Sequence, residues 1–337
     1  MRIAFIRLSA LGDVAMTVPV VCSAARQYPD VEFVVVTQAW LGVLYEDIAP
    51  NVSIHPVHLH DLHKGWCGLW RLARELRADG VMAVADAHDV LRTKFLRLLL
   101  RLWGCRVVSI GKGRSERRRL IRLGAEAFGK PRRHQTERYA DVLRRLGLDV
   151  QLTFTKLQLP PLDVLPAKPA SARWIGVAPT AAHASKIYSS HLLLAALRLV
   201  MAHDGVRLFF FGREASVAAM AAQLETAFPQ RVALASDYAK GLRDELRLMQ
   251  GLDVMLSMDS GNMHLASIVG TPVVSIWGAT HPSMGFLGYG QPLSLCLQSS
   301  RVCRPCTAYG ARPRCHSPYP CLEDIQPEQV ANALLRE

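Results

Sequence analysis

The segment that decides the fold is MDSGNMHLASIVGTPVVSIWGATHP, which spans Met258 to Pro282. The residues just before it, 254–257, form a short run that predicts the buried end of a strand. Within the segment, a helical pattern covers residues 263–269 and a second strand-like run covers residues 273–277. A strand, a helix and a strand in this order predict a βαβ unit with parallel strands.

The start of this predicted helix carries residues suited to binding an anion. Asp259 and Ser260 are favourable helix caps, and Gly261 lets the backbone approach a ligand closely. The free N–H groups and the dipole of a helix N-terminus favour phosphate, and His264 in the first turn can add a side-chain donor. An ordinary capped helix of an α/β domain fits the same residues equally well.

The same alternation extends over the whole chain. In the first half, strand-like runs at residues 3–6, 31–36, 80–85 and 106–110 alternate with helical patterns at 12–27, 66–78 and 89–102. In the second half, strand-like runs at 174–178, 206–211 and 231–235 alternate with helical patterns at 190–203, 215–228 and 241–250. The proline-rich stretch 157–172 reads as a linker. We therefore predict two Rossmann-like α/β domains, 1–160 and 171–337, with ligands bound in a cleft between them.

Two further positions can carry chemistry. Asp13 lies in the turn RLSALGD after the first predicted strand, where it can act as a general base, although a helix cap or first-turn acid is the alternative. Lys186 lies in the loop that begins Ala178-Pro179-Thr180, after the first strand of the second half. There it can neutralise a departing diphosphate, although a lone loop lysine is more often solvated.

Positive charge is concentrated in one region. The net charge is +12, and residues 94–145 hold 16 Lys or Arg against 4 Asp or Glu, an excess equal to the whole. Such a region attracts nucleic acid, an anionic membrane surface or a phosphorylated substrate, unless it is only a solvated helical surface. The arginine run within it has no interleaved aromatic residues for base stacking, which counts against nucleic acid.

The sequence predicts neither an export signal nor a membrane span. The first apolar run, residues 3–6, is too short for a signal peptide, and no apolar stretch approaches the roughly 20 residues of a span. We expect a cytoplasmic protein whose eight cysteines are thiols or metal ligands. No G-x-G-x-x-G motif follows either domain's first strand, which counts against a dinucleotide-dependent oxidoreductase.

The eight cysteines fall into two groups. The spacing of the C-terminal group is similar to that of a zinc ribbon, but the prolines around it can order the loop without metal, so structural zinc and reduced packing thiols both stay open. This group consists of Cys303, Cys306, Cys315 and Cys321. The other four have apolar neighbours and are predicted core residues: Cys22, Cys67, Cys105 and Cys296.

The order Asp-Ser-Gly-x-x-His-Leu-Ala-Ser, Gly-Thr-Pro and Trp-Gly-Ala-Thr-His-Pro within 258–282 resembles the donor-binding signature of glycosyltransferase family 9, the heptosyltransferases. The resemblance implies GT-B architecture, an α/β fold of two Rossmann-like domains facing each other across a cleft. It implies that Asp13 is the catalytic base. It also implies a donor site that comprises Lys186 on the phosphates, Glu214 on the ribose, Asp259, Ser260, Gly261, Asn262 and His264.

The same resemblance implies the reaction and the partners. We expect an inverting glycosyltransferase that moves a heptose from ADP-heptose to the inner core of lipopolysaccharide, either Kdo-lipid A or a heptosylated core, without a metal or other cofactor. The acceptor meets the N-terminal domain, where Arg117, Arg118 and Arg119 can bind its phosphates. The protein would lie in the cytoplasm or peripherally on the cytoplasmic face of the anionic inner membrane. Alternatives are another nucleotide-sugar donor or surface-glycan acceptor and, from a different class, a basic nucleic-acid-binding α/β protein.

Overall fold

The computed structural model describes residues 1–127 and 132–336, which form two compact units. The first unit consists of Met1–Gly113 and Arg133–Thr155. The second consists of Arg114–Arg132 and Lys156–Glu337. Each unit contains one β-sheet whose strands pair in parallel, as the βαβ alternation predicts.

The strands of the first unit are β1 (Arg2–Ile6), β2 (Glu32–Gln38), β3 (Val52–Val57), β4 (Ala83–Asp86) and β5 (Arg106–Ser109). Those of the second unit are β6 (Arg173–Ala178), β7 (Val206–Phe210), β8 (Val232–Leu234), β9 (Val254–Met258), β10 (Val273–Trp277) and β11 (Cys296–Gln298). The strands of the central positions are almost wholly buried, which is why their sequences are continuous apolar runs.

The helices, in chain order, are α1 (Leu11–Ala15), α2 (Val18–Gln27), α3 (Gly65–Ala78), α4 (Leu91–Leu102), α5 (Arg114–Leu123), α6 (Gln135–Arg144), α7 (Ser190–Met201), α8 (Ala215–Ala227), α9 (Leu242–Gln250), α10 (Gly261–Ile268), α11 (Pro320–Glu323) and α12 (Pro327–Leu335). Short 3-10 helices lie at Ala39–Tyr45, Gly124–Ala127, Ala184–Lys186, Ala235–Asp237, Pro282–Met284 and Leu293–Leu295. None of the helices that the structure describes has both the length and the apolar character of a membrane span.

Successive strands are added first toward one edge of each sheet and then toward the other, so each sheet has a topological switch point. The strand order is β3-β2-β1-β4-β5 in the first unit and β11-β10-β9-β6-β7-β8 in the second. The direction therefore changes between β1 and β4 in one sheet and between β6 and β9 in the other. Loops that leave such a switch point diverge and open a crevice at the carboxyl edge of the sheet, where ligands bind.

Different helices cover the two faces of the first sheet. Leu72 and Leu76 of α3 and Leu96 of α4 share a core with Ile6 and Val36 of the strands. The crossovers through α3 and α4 run opposite to the one through α2, so α2 lies on the other face, where it contacts α6. The outer surface of α3 and α4 is consequently one continuous layer of this unit.

The sequence predicts one helix over residues 12–27, and the structure forms two, α1 and α2. In a continuous helix residue 19 would donate to the carbonyl of Ala15, but Pro19 has no N–H. The Thr17 hydroxyl lies at the break and donates to the Val14 carbonyl at 2.7 Å. Asp13 is thereby placed on a short helix of its own.

The proline-rich stretch 157–172 has no regular secondary structure, but its first residues are bonded to the second unit. The N–H of Leu157 donates to the Ile268 carbonyl at 2.7 Å, and that of Leu159 donates to Oε1 of Gln250 at 3.0 Å. The chain passes from the first unit to the second for the last time at Thr155 and Lys156. The start of the predicted linker is therefore a bonded edge of the second unit.

Helix α5 carries Arg117, Arg118 and Arg119. The sequence suggested that it belongs to the N-terminal domain, but the structure places it in the second unit. The physical reason is local packing, since Leu120 shares a small apolar cluster with Met284. The Arg117 guanidinium lies 5.4 Å from the centre of the Tyr309 ring, while Arg118 and Arg119 are exposed. Charge alone could not reveal which unit this helix packs against.

Candidate active site

Asp13 lies on α1, just beyond the carboxyl end of β1. Its Oδ2 is 2.5 Å from Nη2 of Arg7, and its Oδ1 accepts a hydrogen bond from the Tyr139 hydroxyl at 3.1 Å. Arg7 is nearly buried and is itself fixed by donating to the Ala87 carbonyl at 2.8 Å. Both carboxylate oxygens are thus oriented, while 34% of the Asp13 side chain stays exposed.

The end of β4 and the loop after it add two groups to the same sheet edge that the sequence analysis did not identify. Asp86 has no exposed surface and accepts bonds from the N–H groups of His88 and Asp89 at 2.9 and 3.0 Å. Burial lowers the pKa of His88 to about 3, assisted by the positive charges of Arg7, Lys112 and Arg92. His88 is therefore a neutral imidazole near pH 7. The only signal in the sequence is its position, just after a strand at the switch point.

In the second unit, Lys186 and Asp259 bring the two switch-point loops together. Nζ of Lys186 is 2.8 Å from Oδ2 of Asp259, and the Thr280 hydroxyl donates to the same oxygen at 2.7 Å. Only 13% of the lysine side chain and 8% of the aspartate side chain are exposed. The two residues meet because they follow β6 and β9, which are neighbours in the sheet. The structure thus joins two of the predicted donor-binding residues.

Close packing fixes the loop that carries Lys186. A Cβ at Gly278 would lie 2.2 Å from the Ser185 carbonyl oxygen, so that position admits only glycine. The same oxygen accepts a bond from the Ala279 N–H at 3.1 Å, and the Ser185 hydroxyl donates to the Gly310 carbonyl at 2.8 Å. The lysine is therefore held by the loop after β10 and by the cysteine-rich tail.

Arg304, from that tail, braces the loop after β10. It is fully buried and donates to the carbonyls of Gly278 at 2.5 Å and of Trp277 and Thr280 at 2.9 Å each, as well as to that of Ser299. Burial lowers its pKa to about 10, so it remains a cation near pH 7. Arg304 thereby fixes the loop that presents Thr280 to Asp259. Nothing in the sequence distinguishes Arg304 from the rest of the 40 Lys and Arg residues in the chain.

We expect Arg304→Met to lower the free energy of unfolding by roughly 2–4 kcal/mol, because it leaves several buried carbonyl groups without a donor. Methionine keeps a long side chain in the same space, so the loss reports the hydrogen bonds rather than a large cavity. Urea denaturation followed by circular dichroism measures it. Arg301→Met is the matched control, since the Arg301 guanidinium binds Asp324 at the surface. Equal losses in the two variants would contradict the bracing role.

The remaining predicted residues of this segment surround the start of α10. Ser260 is the N-cap residue of α10, which begins at Gly261, directly after the predicted capping residues. The predicted capping by side chains is wrong, because the Ser260 hydroxyl makes no cap bond and lies 3.2 Å from that of Ser257, while Asp259 binds Lys186 and Thr280. Asn262 is half-buried in the first turn and His264 is buried.

Glu214 follows a third strand of the second sheet, β7. It is the exposed N-cap residue of α8, after β7, and its Oε2 accepts a bond from the Arg213 N–H at 3.0 Å. A pocket of about 320 Å³ lies close by in the same unit, lined among others by Thr180 from the Lys186 loop, Ser216 from the first turn of α8 and Tyr319. Its volume is within the range of small-ligand sites.

The tail cysteines do not form a converged metal site in the described part of the chain. Cys306 and Cys321 are buried, and Cys303 and Cys315 are partly exposed. Within residues 1–127 and 132–336, ligand atoms of at least three His, Cys, Asp or Glu residues come within 4.8 Å of one another only at His55, His63 and Glu75. Of the predicted core cysteines, Cys22 and Cys105 are buried, Cys296 is half-buried, and Cys67 is exposed, so that prediction is wrong for Cys67.

The His55, His63 and Glu75 group is a hydrogen-bonded brace between β3 and α3. Nδ1 of His63 accepts a bond from the His58 N–H at 3.0 Å, so the ring proton lies on Nε2, which is 2.9 Å from Oε2 of Glu75. In a metal-binding histidine the nitrogen that does not bind the metal normally donates a hydrogen bond to an acceptor. In His63, Nδ1 instead accepts a hydrogen bond from the His58 N–H, which leaves no such donor. His55 contacts the same Glu75 oxygen at 3.2 Å.

Two doubly wound parallel α/β units in one chain, each with charged side chains at its switch point, are typical of the GT-B class of fold. The chain belongs to glycosyltransferase family 9 (heptosyltransferase), whose sequence profile matches residues 69–315. It is therefore a glycosyltransferase. This confirms the resemblance found in the sequence and the predicted fold class.

Solved structures agree with this assignment. The family 9 glycosyltransferase of Veillonella parvula superimposes with a TM-score of 0.73 at 19% identity, over 98% of this chain and 95% of that one. Escherichia coli ADP-heptose LPS heptosyltransferase II gives 0.68 at 18% identity, over 99% and 97%. Escherichia coli heptosyltransferase WaaC with ADP gives 0.65 at 18% identity, over 91% and 97%. At these identities the likeness establishes the fold. No curated protein matches the chain by sequence.

Proposed function

We propose that the enzyme transfers a heptose from ADP-heptose to the inner core of lipopolysaccharide, with inversion at the anomeric carbon. The observation that carries the proposal is the Lys186–Asp259 pair at the switch point of the second sheet, beside the N-terminus of α10. A nearly buried lysine next to free helix N–H groups suits a diphosphate. WaaC, a structural neighbour, has been solved with ADP and with ADP-2-deoxy-2-fluoro heptose, which supports an ADP-sugar donor.

In the proposed reaction Asp13 is the general base. Its two oxygens are held by Arg7 and Tyr139, and each keeps a further lone pair that can accept the proton of an acceptor hydroxyl. The deprotonated oxygen attacks the anomeric carbon of the donor from the face opposite the diphosphate. The glycosidic bond to ADP breaks as the new bond forms, so a single displacement inverts the configuration.

The departing ADP accumulates negative charge, which the second unit would stabilise. Lys186 and the N–H groups of Gly261 and Asn262 would carry the charge of the phosphates, with His264 as an additional donor. Ser260 would complete this phosphate site, and Glu214 would accept hydrogen bonds from the ribose hydroxyls. With lysine and backbone N–H groups in this role, the proposed reaction uses no metal or other cofactor.

The proposed acceptor is a phosphorylated glycolipid, so the enzyme would work at the cytoplasmic face of the anionic inner membrane. The exposed side chains of Arg118 and Arg119, together with Arg117, would bind acceptor phosphates. These residues belong to the second unit.

Mass spectrometry of the products tests this proposal. The purified enzyme is incubated with ADP-heptose or with other nucleotide sugars, each combined with lipopolysaccharides truncated at successive core sugars. We expect the mass of one heptose to be added from ADP-heptose and to a single truncated core. Faster transfer from another nucleotide sugar would replace the donor. Nucleic-acid binding would be favoured instead by two results together. The enzyme would transfer no sugar from any donor, and it would be retained on DNA in a salt-sensitive way that the triple R117A/R118A/R119A variant loses.

A further inference from the structure

Helix α3 exposes large aromatic side chains that do not belong to the hydrophobic core. Its inner face is buried through Leu69, Leu72 and Leu76, whereas Trp66 and Trp70 on the outer face are 56% and 45% exposed. These two tryptophans are four residues apart and lie side by side on the helix. A single exposed apolar residue needs no explanation, but two adjacent exposed tryptophans indicate a surface that binds a protein or a membrane.

Helix α4 has an apolar stripe on its outer face as well. Leu91, Leu98 and Leu102 are 70%, 53% and 72% exposed, although Leu96 and Leu100 on the opposite side already fill the core. Spacings of seven and four residues place the three exposed leucines on one line along the helix. The helix is thus apolar on two faces, and folding accounts for only one of them.

The two helices present these residues as one surface. Phe95 of α4 and Trp66 of α3 are in edge contact, with ring centroids 4.8 Å apart. Both helices cover the same face of the first sheet. We call the outer faces of α3 and α4 the α3–α4 surface.

Every exposed charged residue of these two helices is basic. They are Arg71, Arg74 and Arg77 of α3 and Arg92, Lys94 and Arg101 of α4. Glu75, the one acid in either helix, is half-buried and bonded to His55 and His63. On α4 the basic side chains flank the leucine stripe on both sides, so apolar groups occupy the middle and cations the border.

We propose that the α3–α4 surface docks the enzyme on an anionic lipid bilayer. Tryptophan is favoured at the level of the lipid headgroups, exposed leucines insert beneath it, and flanking Lys and Arg bind acidic headgroups. A second copy of the chain would bring two sets of cations together, which disfavours self-association through this face. Leucines offer nothing to stacked bases, so the surface fits lipid better than nucleic acid.

The placement of the surface suits a lipid-linked acceptor, and in this respect the inference rests on the proposed function. Helix α4 begins at Leu91, shortly after β4 ends at Asp86, and Asp86 pairs with Ile6 next to Arg7. The first turn of α4 therefore lies at the sheet edge that carries Asp13. A bilayer on the α3–α4 surface would hold its glycolipids beside the proposed base.

Vesicle co-sedimentation of the full chain tests the docking. Vesicles of phosphatidylethanolamine with phosphatidylglycerol are compared with vesicles of phosphatidylcholine alone. We expect binding to the anionic vesicles that the triple W70A/L98Q/L102Q variant weakens by at least about tenfold in partition coefficient, since exposed apolar area drives insertion. The matched control is the double V164Q/L293Q variant, which removes exposed apolar side chains of the second unit and should bind within about twofold of the native chain.

Several results would overturn the proposal. The first is equal binding of the triple variant and the native chain to the anionic vesicles, and the second is equal binding of the native chain to both kinds of vesicle. The proposal would also fail if the native chain formed a dimer in analytical ultracentrifugation, or were retained on single-stranded DNA, and the triple variant lost that property. Transfer assays separate this inference from the proposed function. The triple variant should keep native kcat/KM on a delipidated core oligosaccharide and lose it on the same core embedded in vesicles. Absence of transfer to either acceptor by the native enzyme would refute the function and leave the vesicle result to stand alone.

Discussion

Asp13→Asn lowers kcat/KM for heptose transfer by roughly 10³-fold, within the range for loss of a general base. Asparagine is the same size and can turn its oxygen toward Arg7 and its amide toward the Tyr139 hydroxyl, so the local structure should survive. What it cannot do is accept a proton from the acceptor. Initial rates with purified acceptor at saturating and limiting donor measure the effect, and unchanged ADP affinity confirms that the donor site is intact.

Tyr139→Phe is the matched control for Asp13. It removes only the hydroxyl that donates to Asp13 Oδ1, and the ring remains in the core. We expect a loss of about tenfold, because one charge-assisted bond orients the carboxylate while Arg7 still holds the other oxygen. If the asparagine variant turned over at nearly the native rate, or if Tyr139→Phe were the more damaging change, Asp13 would not be the base.

Every interior strand was predictable from sequence, and so were two of the four edge strands, β5 and β8, whereas the edge strands β3 and β11 were not. Runs such as 3–6 and 273–277 are apolar throughout because both faces of a central parallel strand are covered, and the structure places strands there. β3 contains Pro56 and is only half-buried, and β11 has three residues, so neither shows the pattern. β3 and β11 form by pairing with a neighbouring strand, which a local window of sequence does not contain.

In the candidate site, too, the properties of single residues could be predicted from the local sequence, whereas contacts between distant segments could not. The chemistry of Lys186 and Asp259 could be predicted for each residue separately, but their 2.8 Å contact depends on β6 lying beside β9. Arg304 carries no signal at all, since its role depends on carbonyl groups of the loop after β10. The basic helix α5 was assigned to the wrong unit because its apolar residues, among them Leu120, pack against Met284 of the second unit, and the surrounding charge does not reveal this contact.

Lys186→Met should lower kcat/KM by roughly 10²–10³-fold, the usual loss when one group that stabilises developing charge is removed. The loss should fall mainly on kcat, because the charge of the ADP group increases as the glycosidic bond breaks. ADP should raise the melting temperature of the native enzyme without added divalent metal, and raise it less in the variant. Lys186→Arg keeps the positive charge and should retain more activity than the methionine variant.

A stability effect must be separated from this catalytic one, because Lys186→Met leaves the nearly buried Asp259 without its cation. Breaking such a pair costs about 3 kcal/mol. The double variant K186M/D259N removes the unpaired charge and keeps an acceptor for the Thr280 hydroxyl, so most of that stability should return. If Lys186 acts on the leaving group, the double variant stays as inactive as Lys186→Met although its melting temperature recovers. Recovery of activity along with stability would mean that the lysine only balances the charge of Asp259.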